Sequence, residues 1–517
     1  MNFETIRLRV NDAGRTTSLV DHPAVRAAVS GKARVVERVE SLFDTPDLRL
    51  TSRGVRLTAW RLGGKWMAGV RFAPPDQERA REWGCGDGDR PDWSELKRQV
   101  PEMLLEGVKG KGLVSCFTVA SREERWRLEY PDGTRIVLRE VRGLTSGSWG
   151  EESWHEVALE SESGVTGRSL QTALALARHG EAGLEPFSAF ERGVARLDPG
   201  RVVVPESVAG TALAGERLID GLIRLGWAQL VGVGEQLAPL HAGSGARAAR
   251  AAGHLSEALG GLGFLVTWWG EFLPLVWQRE MLAELAWART ELDVCRERAG
   301  LLEQLRAQSI FITQPEPFSS LIQGAESDLE RALQRARQAM GSVRFARLVL
   351  GMAIWLHGAE GVRAAAVESD AAHSGRLDLP VEGMARELMR GLHRAWRGVV
   401  KSEGEFGIGL LEPTREFADS LLALEQAVIW FGGLFAERKA GGYCAALDEL
   451  AGATRMWRDL EARGRGWRAA LAGHPHDARL SGWLEGWHAA RLEGVIQTFR
   501  LARERFLTTS APFIGRE

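Results

Sequence analysis

Two carboxylates, Glu156 and Glu160, stand on one face of the alternating stretch WHEVALESES (154–163), with Ala158 between them and Val157 and Leu159 opposite. Mg²⁺ sites often use one or two carboxylates with water and phosphate, so this pair can hold such an ion weakly. Facing arginines instead, the pair would close a self-neutralising ion-pair network, because buried charges need partners. Arginines on a shared face occur early: Arg7 and Arg9 in FETIRLRV (3–10) alternate with Ile6, Leu8 and Val10. A second cluster, Arg390, His393, Arg394, Arg397 and Lys401, covers about three turns of a helix. Cations so placed form either a polyanion-binding patch or a solvated helix face.

The elements that must position these groups differ between the two halves. Residues 1–200 read as alternating strands, including a hairpin in WRLEYPDGTRIVLREV (126–141) that turns at Pro131-Asp132-Gly133. Strands whose second face is rich in charge suggest an antiparallel β-barrel with a wet interior. A short helix is expected at 167–177. The segment 201–210 has no helical period and reads as a linker. Residues 211–510 repeat apolar positions at i, i+3, i+4 and i+7, the pattern of an all-α helical bundle, and 511–517 reads as a tail. The fold class is therefore α+β multidomain.

The chain has 517 residues and a formal net charge of −2, with 35 Lys+Arg against 37 Asp+Glu in 211–517. Neither half is basic overall, so any polyanion site must be a local patch. Nothing points to sequence-specific nucleic acid recognition. Four cysteines, Cys85, Cys116, Cys295 and Cys444, lack zinc or disulfide spacing. No uncharged apolar run approaches membrane-spanning length, and the opening MNFETIRLRV has no apolar signal region. A cytoplasmic protein is expected. Of the 19 Trp, those in the helical half mostly fall on apolar faces, which favours packing.

FDTPDLRLTSRGVRL (43–57) resembles the signature DT-x-D-x-x-L-x-x-x-G-x-x-L of the CYTH superfamily, closed β-barrels that hydrolyse or cyclise triphosphate-bearing substrates. KWMAGVR (65–71), WHEVALE and SAFERG (188–193) follow in the family's order. The resemblance implies a tunnel lined by Lys and Arg, with clustered carboxylates holding Mg²⁺ or Mn²⁺. It makes Arg7, Arg9, Arg56, Arg71 and Arg192 phosphate-binding candidates, and Glu156 and Glu160 metal candidates. Many ligand positions have changed. The opening Glu-x-Glu-x-Lys is Thr5, Arg7, Arg9, and Leu-Arg-x-Arg is Leu57, Thr58, Ala59, Trp60. Glu-x-Glu-x-Glu has lost its middle member to Ala158, the late Asp falls near Val141, and the closing Lys is Ala189.

The helical half is similar to CHAD domains, helical bundles that bind inorganic polyphosphate. The likeness rests on 344–358, 384–399 and 412–435. In the second signature helix the family's His is Arg415, and its basic positions are Glu416, Ala418, Leu422, Ala423 and Glu425. The first falls within 241–259, where His241, Arg247, Arg250 and His254 are the basic residues. Arg390, Arg394 and Arg397 are the phosphate-binding candidates that remain.

The expected protein is a non-catalytic CYTH–CHAD scaffold or adaptor, with a protein partner on its helical domain, or a polyphosphate-associated binding protein located on granules. The alternative is a divergent metal-dependent inorganic triphosphatase. No cofactor is expected unless the chain is such an enzyme, in which case Mg or Mn is.

Overall fold

A computed structural model describes residues 5–10, 19–62, 65–72, 79–85, 90–108, 112–162, 166–180, 182–199, 205, 210–309, 315–358, 375–405, 413–435, 437–472 and 478–513. The chain divides into two compact units. The first is Met1–Val203 with Leu237–Ser244 and Met340–Gly351; the second is Val204–Gln236, Gly245–Ala339 and Met352–Glu517. The linker expected at 201–210 lies mostly outside the described residues, although the carbonyl of Pro205 accepts from Gln236 Nε2 at 2.8 Å.

The first unit is built on β1 (Thr5–Arg9), β2 (Val29–Asp44), β3 (Val55–Leu62), β4 (Lys65–Phe72), β5 (Arg79–Gly84), β6 (Val114–Glu129), β7 (Arg135–Gly147), β8 (Gly150–Ser161) and β9 (Gly183–Leu184). They form one antiparallel sheet in the order β5-β4-β3-β2-β6-β7-β8-β1-β9. This is the antiparallel sheet expected of the first half, and barrel describes it only loosely. The sheet stays open, because among the described residues its end strands β5 and β9 do not pair. The hairpin at 131–133 joins β6 to β7, where Asp132 accepts from the Thr134 amide at 2.9 Å.

Alternation divides the sheet into two faces. The outer face is apolar and covered at its two wings, while between them Val35 and Val39 of β2 are exposed. Helix α1 (Gly167–Gly180) packs Leu170, Ala173 and Leu176 on the β1–β8 side, where Ile6, Leu8, Val157 and Leu159 are buried. On the other wing Val55, Leu57, Ala59 and Val70 share a core with Leu96, Val100 and Leu105 from two short helices. Helix α2 (Ala189–Leu197) lies against the inner face, where Ala189 and Phe190 pack with Leu42, Phe117, Val119, Val141 and Trp154.

Beyond residue 211 the described structure is helical apart from one isolated bridge, Arg217 to Pro380. Its helices are α3 (Leu218–Ala242), α4 (Gly245–Trp268), α5 (Leu275–Ser309), α6 (Pro315–Met340), α7 (Val343–His357), α8 (Val381–Glu405), α9 (Arg415–Phe431), α10 (Glu437–Ala472) and α11 (Ala478–Thr508). Within the second unit α4 pairs with α5, α8 with α9 and α10 with α11, and α10 also packs on α5. Trp269, Trp396, Trp430 and Trp467 are fully buried, which gives the helical half's indoles a packing role. By length and composition, one described helix, Arg415–Leu434, could cross a membrane, and half of its apolar window is buried within the fold.

Candidate functional site

The signature that suggested a tunnel enzyme builds a turn. The Asp44 carboxylate is fully buried and accepts from the amides of Thr45, Leu50 and Thr51 at 2.7, 2.9 and 2.8 Å and from Thr51 Oγ1 at 2.6 Å. Thr45 Oγ1 accepts from the Arg49 amide at 2.9 Å. Leu50 and Leu57 enter the outer core. Gly54 adopts φ +71°, a left-handed conformation that a Cβ would strain. Leu48 takes φ +53° despite its side chain, within the same turn. Five of the six named positions of the signature are thus occupied by folding work, and the sixth, Asp47, is exposed and meets Arg49 at 2.6 Å.

The inner face of the sheet opens on a cavity of about 1310 Å³. Arg7, Arg56, Arg71, Glu156 and Glu160 all line it, as strand parity required. Glu40, Glu123 and Arg139 line it too, and sequence reading did not single them out. Arg139 was recoverable, since it shares parity with Val141 on the return strand of the hairpin. Arg9 and Arg192 lie outside the lining and serve ion pairs.

Those pairs form a chain of alternating charge. Glu152 meets Arg196 at 3.2 Å and Arg9 at 3.1 Å, and Arg9 reaches Glu185 at 3.8 Å. Glu185 pairs closely with Arg192, which meets Glu156 at 3.4 Å. Burial pushes the Glu156 carboxyl up from its ordinary value; Arg192 and Arg7 pull it down and Glu185 pushes it further up. Glu160 pairs closely with Arg139, which lies 3.9 Å from Glu123, and Glu123 meets Arg125 at 2.6 Å. The two metal candidates are therefore each held by a guanidinium. The partners are Arg192, brought in by α2, and Arg139, from the strand alongside.

Other side chains of this face pack against one another. Trp60 points to the inner face and is buried. Its ring lies so close to Gly69 that a Cβ there would sit 2.8 Å from it, and the Arg38 guanidinium stands 5.0 Å from its centroid. Arg38 also meets Glu40 at 2.8 Å. Val141 lines the cavity, while Glu140 turns to the outer face and meets His155 Nε2 at 3.0 Å. Arg56 stacks on the Phe190 ring at 3.5 Å and stands directly opposite Arg71 across β3 and β4.

A Mg²⁺ or Mn²⁺ ion does not fit these residues. Glu156 and Glu160 are about 13 Å apart along the strand, Ala158 stands between them, and both already accept from arginine. Among the described residues no three His, Cys, Asp or Glu side chains gather as a metal site.

In the helical unit Arg390, Arg394 and Arg397 all lie on α8, with Arg390 half-buried and the other two exposed. Between them His393 is buried, and its Nδ1 meets the Tyr443 hydroxyl at 3.0 Å. Burial, assisted by Arg397, pulls its imidazole down to about 4. The acidic α9 positions meet α10, with Asp419 3.5 Å from Arg458 and Glu425 paired closely with Arg455. Of the α9 positions compared with the family's basic ones, Glu425 is held in a cross-helix ion pair. His254, in the region of the first signature helix, turns Nδ1 to the Pro205 carbonyl at 3.2 Å.

No family model matches the sequence, and no curated protein does. Among solved structures, the chain is similar to the CHAD domain from Ricinus communis, at 16% identity, over 60% of this chain and 98% of that one, with a TM-score of 0.47. It is similar to a candidate adenylyl cyclase from Hippeastrum described as having a dominant triphosphatase activity, at 16% identity, over 38% and 98% of the two chains, with a TM-score of 0.23. A third similar structure is a candidate adenylate cyclase from Bacillus halodurans, at 11% identity, over 37% and 96%, with a TM-score of 0.23.

Proposed function

We propose that this chain is a CYTH–CHAD-type binding protein that does not turn over triphosphate, and that its helical unit offers a local cationic face to inorganic polyphosphate. The observation that carries the first part is the state of Glu156 and Glu160. Each is already held by a guanidinium, so neither is available to a metal ion without breaking a buried or half-buried ion pair. Thr5, Thr58, Trp60, Ala158 and Ala189 further remove tunnel charge. Losing one electrostatic contact typically costs on the order of 10²–10³ in rate, and several are missing. The proposed setting is the cytoplasm, at granules, and the other non-catalytic role is a scaffold whose helical unit holds a protein partner.

Phosphate release from tripolyphosphate with Mg²⁺ or Mn²⁺ tests it, and the expected rate is near background. Turnover that vanishes in Glu156→Gln or Glu160→Gln would establish a divergent triphosphatase instead. One arrangement favours a second reading, anion binding in the cavity without turnover. Arg56 and Arg71 both line the cavity and stand directly opposite each other across two strands, so an anion entering it would meet two guanidinium groups. Saturable binding of tripolyphosphate without release, weakened in Arg71→Ala, is the expected sign of it.

A further inference from the structure

Helix α8 carries a stripe of five cations. Arg386, Arg390, Arg394, Arg397 and Lys401 follow at spacings of four, four, three and four, which keeps them within about 80° of arc over four turns. Among the described residues no carboxylate lies in ion-pair range of Arg386, Arg390, Arg394 or Arg397. Other arginines of the same unit are partnered: Arg458 with Asp419 at 3.5 Å, Arg505 with Glu449 at 2.8 Å, and Arg455 closely with Glu425.

Two stripe arginines are held by main chain instead. Arg390 Nε donates to the Phe513 carbonyl at 2.6 Å, and Arg397 Nη1 reaches the Leu507 carbonyl at 3.5 Å. Between those carbonyls the chain leaves α11 and runs to Phe513. The Phe513 ring is buried against Tyr443, His393 and Phe435, at centroid separations of 5.3, 5.9 and 6.1 Å. A carbonyl accepts a hydrogen bond but brings no net charge, so the positive field of the stripe persists beneath it. An anionic oxygen bonds the same guanidinium roughly twice as strongly. The contact orders the chain and leaves the arginines open to a better acceptor.

We infer that Leu507–Phe513 is an intramolecular strap across the α8 stripe, anchored by Phe513, and that inorganic polyphosphate bound along the stripe displaces it. The inference rests on the polyphosphate-binding reading above. Hydrogen exchange on the full chain, with and without long-chain polyphosphate at low salt, reads the amides of 508–513 directly. Polyphosphate is expected to speed exchange there, and to leave it unchanged when Arg390, Arg394 and Arg397 are all replaced by Ala. Phe513→Ala, which loosens the anchor, should tighten polyphosphate binding about fivefold or more, with the gain lost in the triple replacement. Wild-type binding that leaves exchange at 508–513 unchanged overturns the strap and leaves the binding reading standing. So does a Phe513→Ala chain of intact circular dichroism that binds no tighter. If neither chain binds polyphosphate, the binding reading fails and the strap fails with it.

Discussion

The inner face of the sheet and the α8 stripe both collect arginines, and they employ them differently. On the sheet, Arg192 stands between Glu156 and Glu185, and Arg139 between Glu160 and Glu123. On α8, Arg390 and Arg397 meet carbonyl oxygens, and no acid balances them among the described residues. The difference shows that availability of a cation is a matter of partner, not of number. A count of basic residues, or a net charge of −2, is blind to it.

The largest expected contrast is in stability. Arg192→Ala removes the nearest cation of both buried carboxylates, Glu156 and Glu185, and should cost the sheet unit about 3–5 kcal/mol. Arg394→Ala, at an exposed unpaired position, should stay within about 0.5 kcal/mol. Calorimetric unfolding of both variants measures this, and equal costs would break the comparison.

Acid should act on His393 and on Glu156 with opposite signs, while Glu152, which despite burial Arg196 and Arg9 hold below the ordinary carboxylate range, works against Glu156 within the sheet unit. The His393 imidazole titrates at about 4 in the fold against an ordinary 6.5. The folded helical unit therefore binds fewer protons than the unfolded chain between those values. Its contribution is complete above about pH 6.5 and is lost as pH falls towards 4, by at most about 1.4 kcal/mol per pH unit. Glu156 is raised by burial. Its contribution is present below the ordinary carboxylate value and is lost as pH rises through the raised one. Melting curves from pH 7 to 4, followed separately for strand and helix signals, distinguish the two. A His393→Phe chain that keeps the same acid sensitivity would remove His393 from the account.

The smallest effect sharpens the sheet side. Glu156→Gln keeps an acceptor for Arg192 and removes a buried charge beside Glu185, so it should stabilise the unit by about 1 kcal/mol at pH 7. The gain should shrink in acid, where the wild-type carboxyl is itself protonated. Urea titrations at pH 7 and pH 4.5 measure it, and a loss of stability at pH 7 would show that the pair with Arg192 is strongly favourable.

Strand parity made much of the sheet legible. Ile6 and Leu8 alternating with Arg7 and Arg9, and Val157 and Leu159 with Glu156 and Glu160, were enough to sort outer from inner side chains. In the structure Val141 is inside and Glu140 outside, as the same parity requires. Closure was not legible, since it depends on whether two distant end strands meet, and no local pattern encodes that. Partner choice was hidden for a similar reason. Arg192 reaches Glu156 only because α2 folds onto the inner face, and Glu185 sits in GLEPF, which has no period to mark it. The helices and the α8 cluster were readable from spacing. The role of Phe513 was not, because it lies past the last periodic segment.

The knot around Asp44 has a consequence for how such proteins are recognised. Four donors converge on one buried carboxylate, and the rest of the signature supplies its core leucines and its left-handed glycine. The motif can therefore stay intact whatever side chains line the cavity, because changing Asp44 would disturb the turn before it touched any reaction. Presence of this signature reports that the sheet can form. Whether anything is hydrolysed on it has to be read from other positions, those with no structural duty to keep them in place.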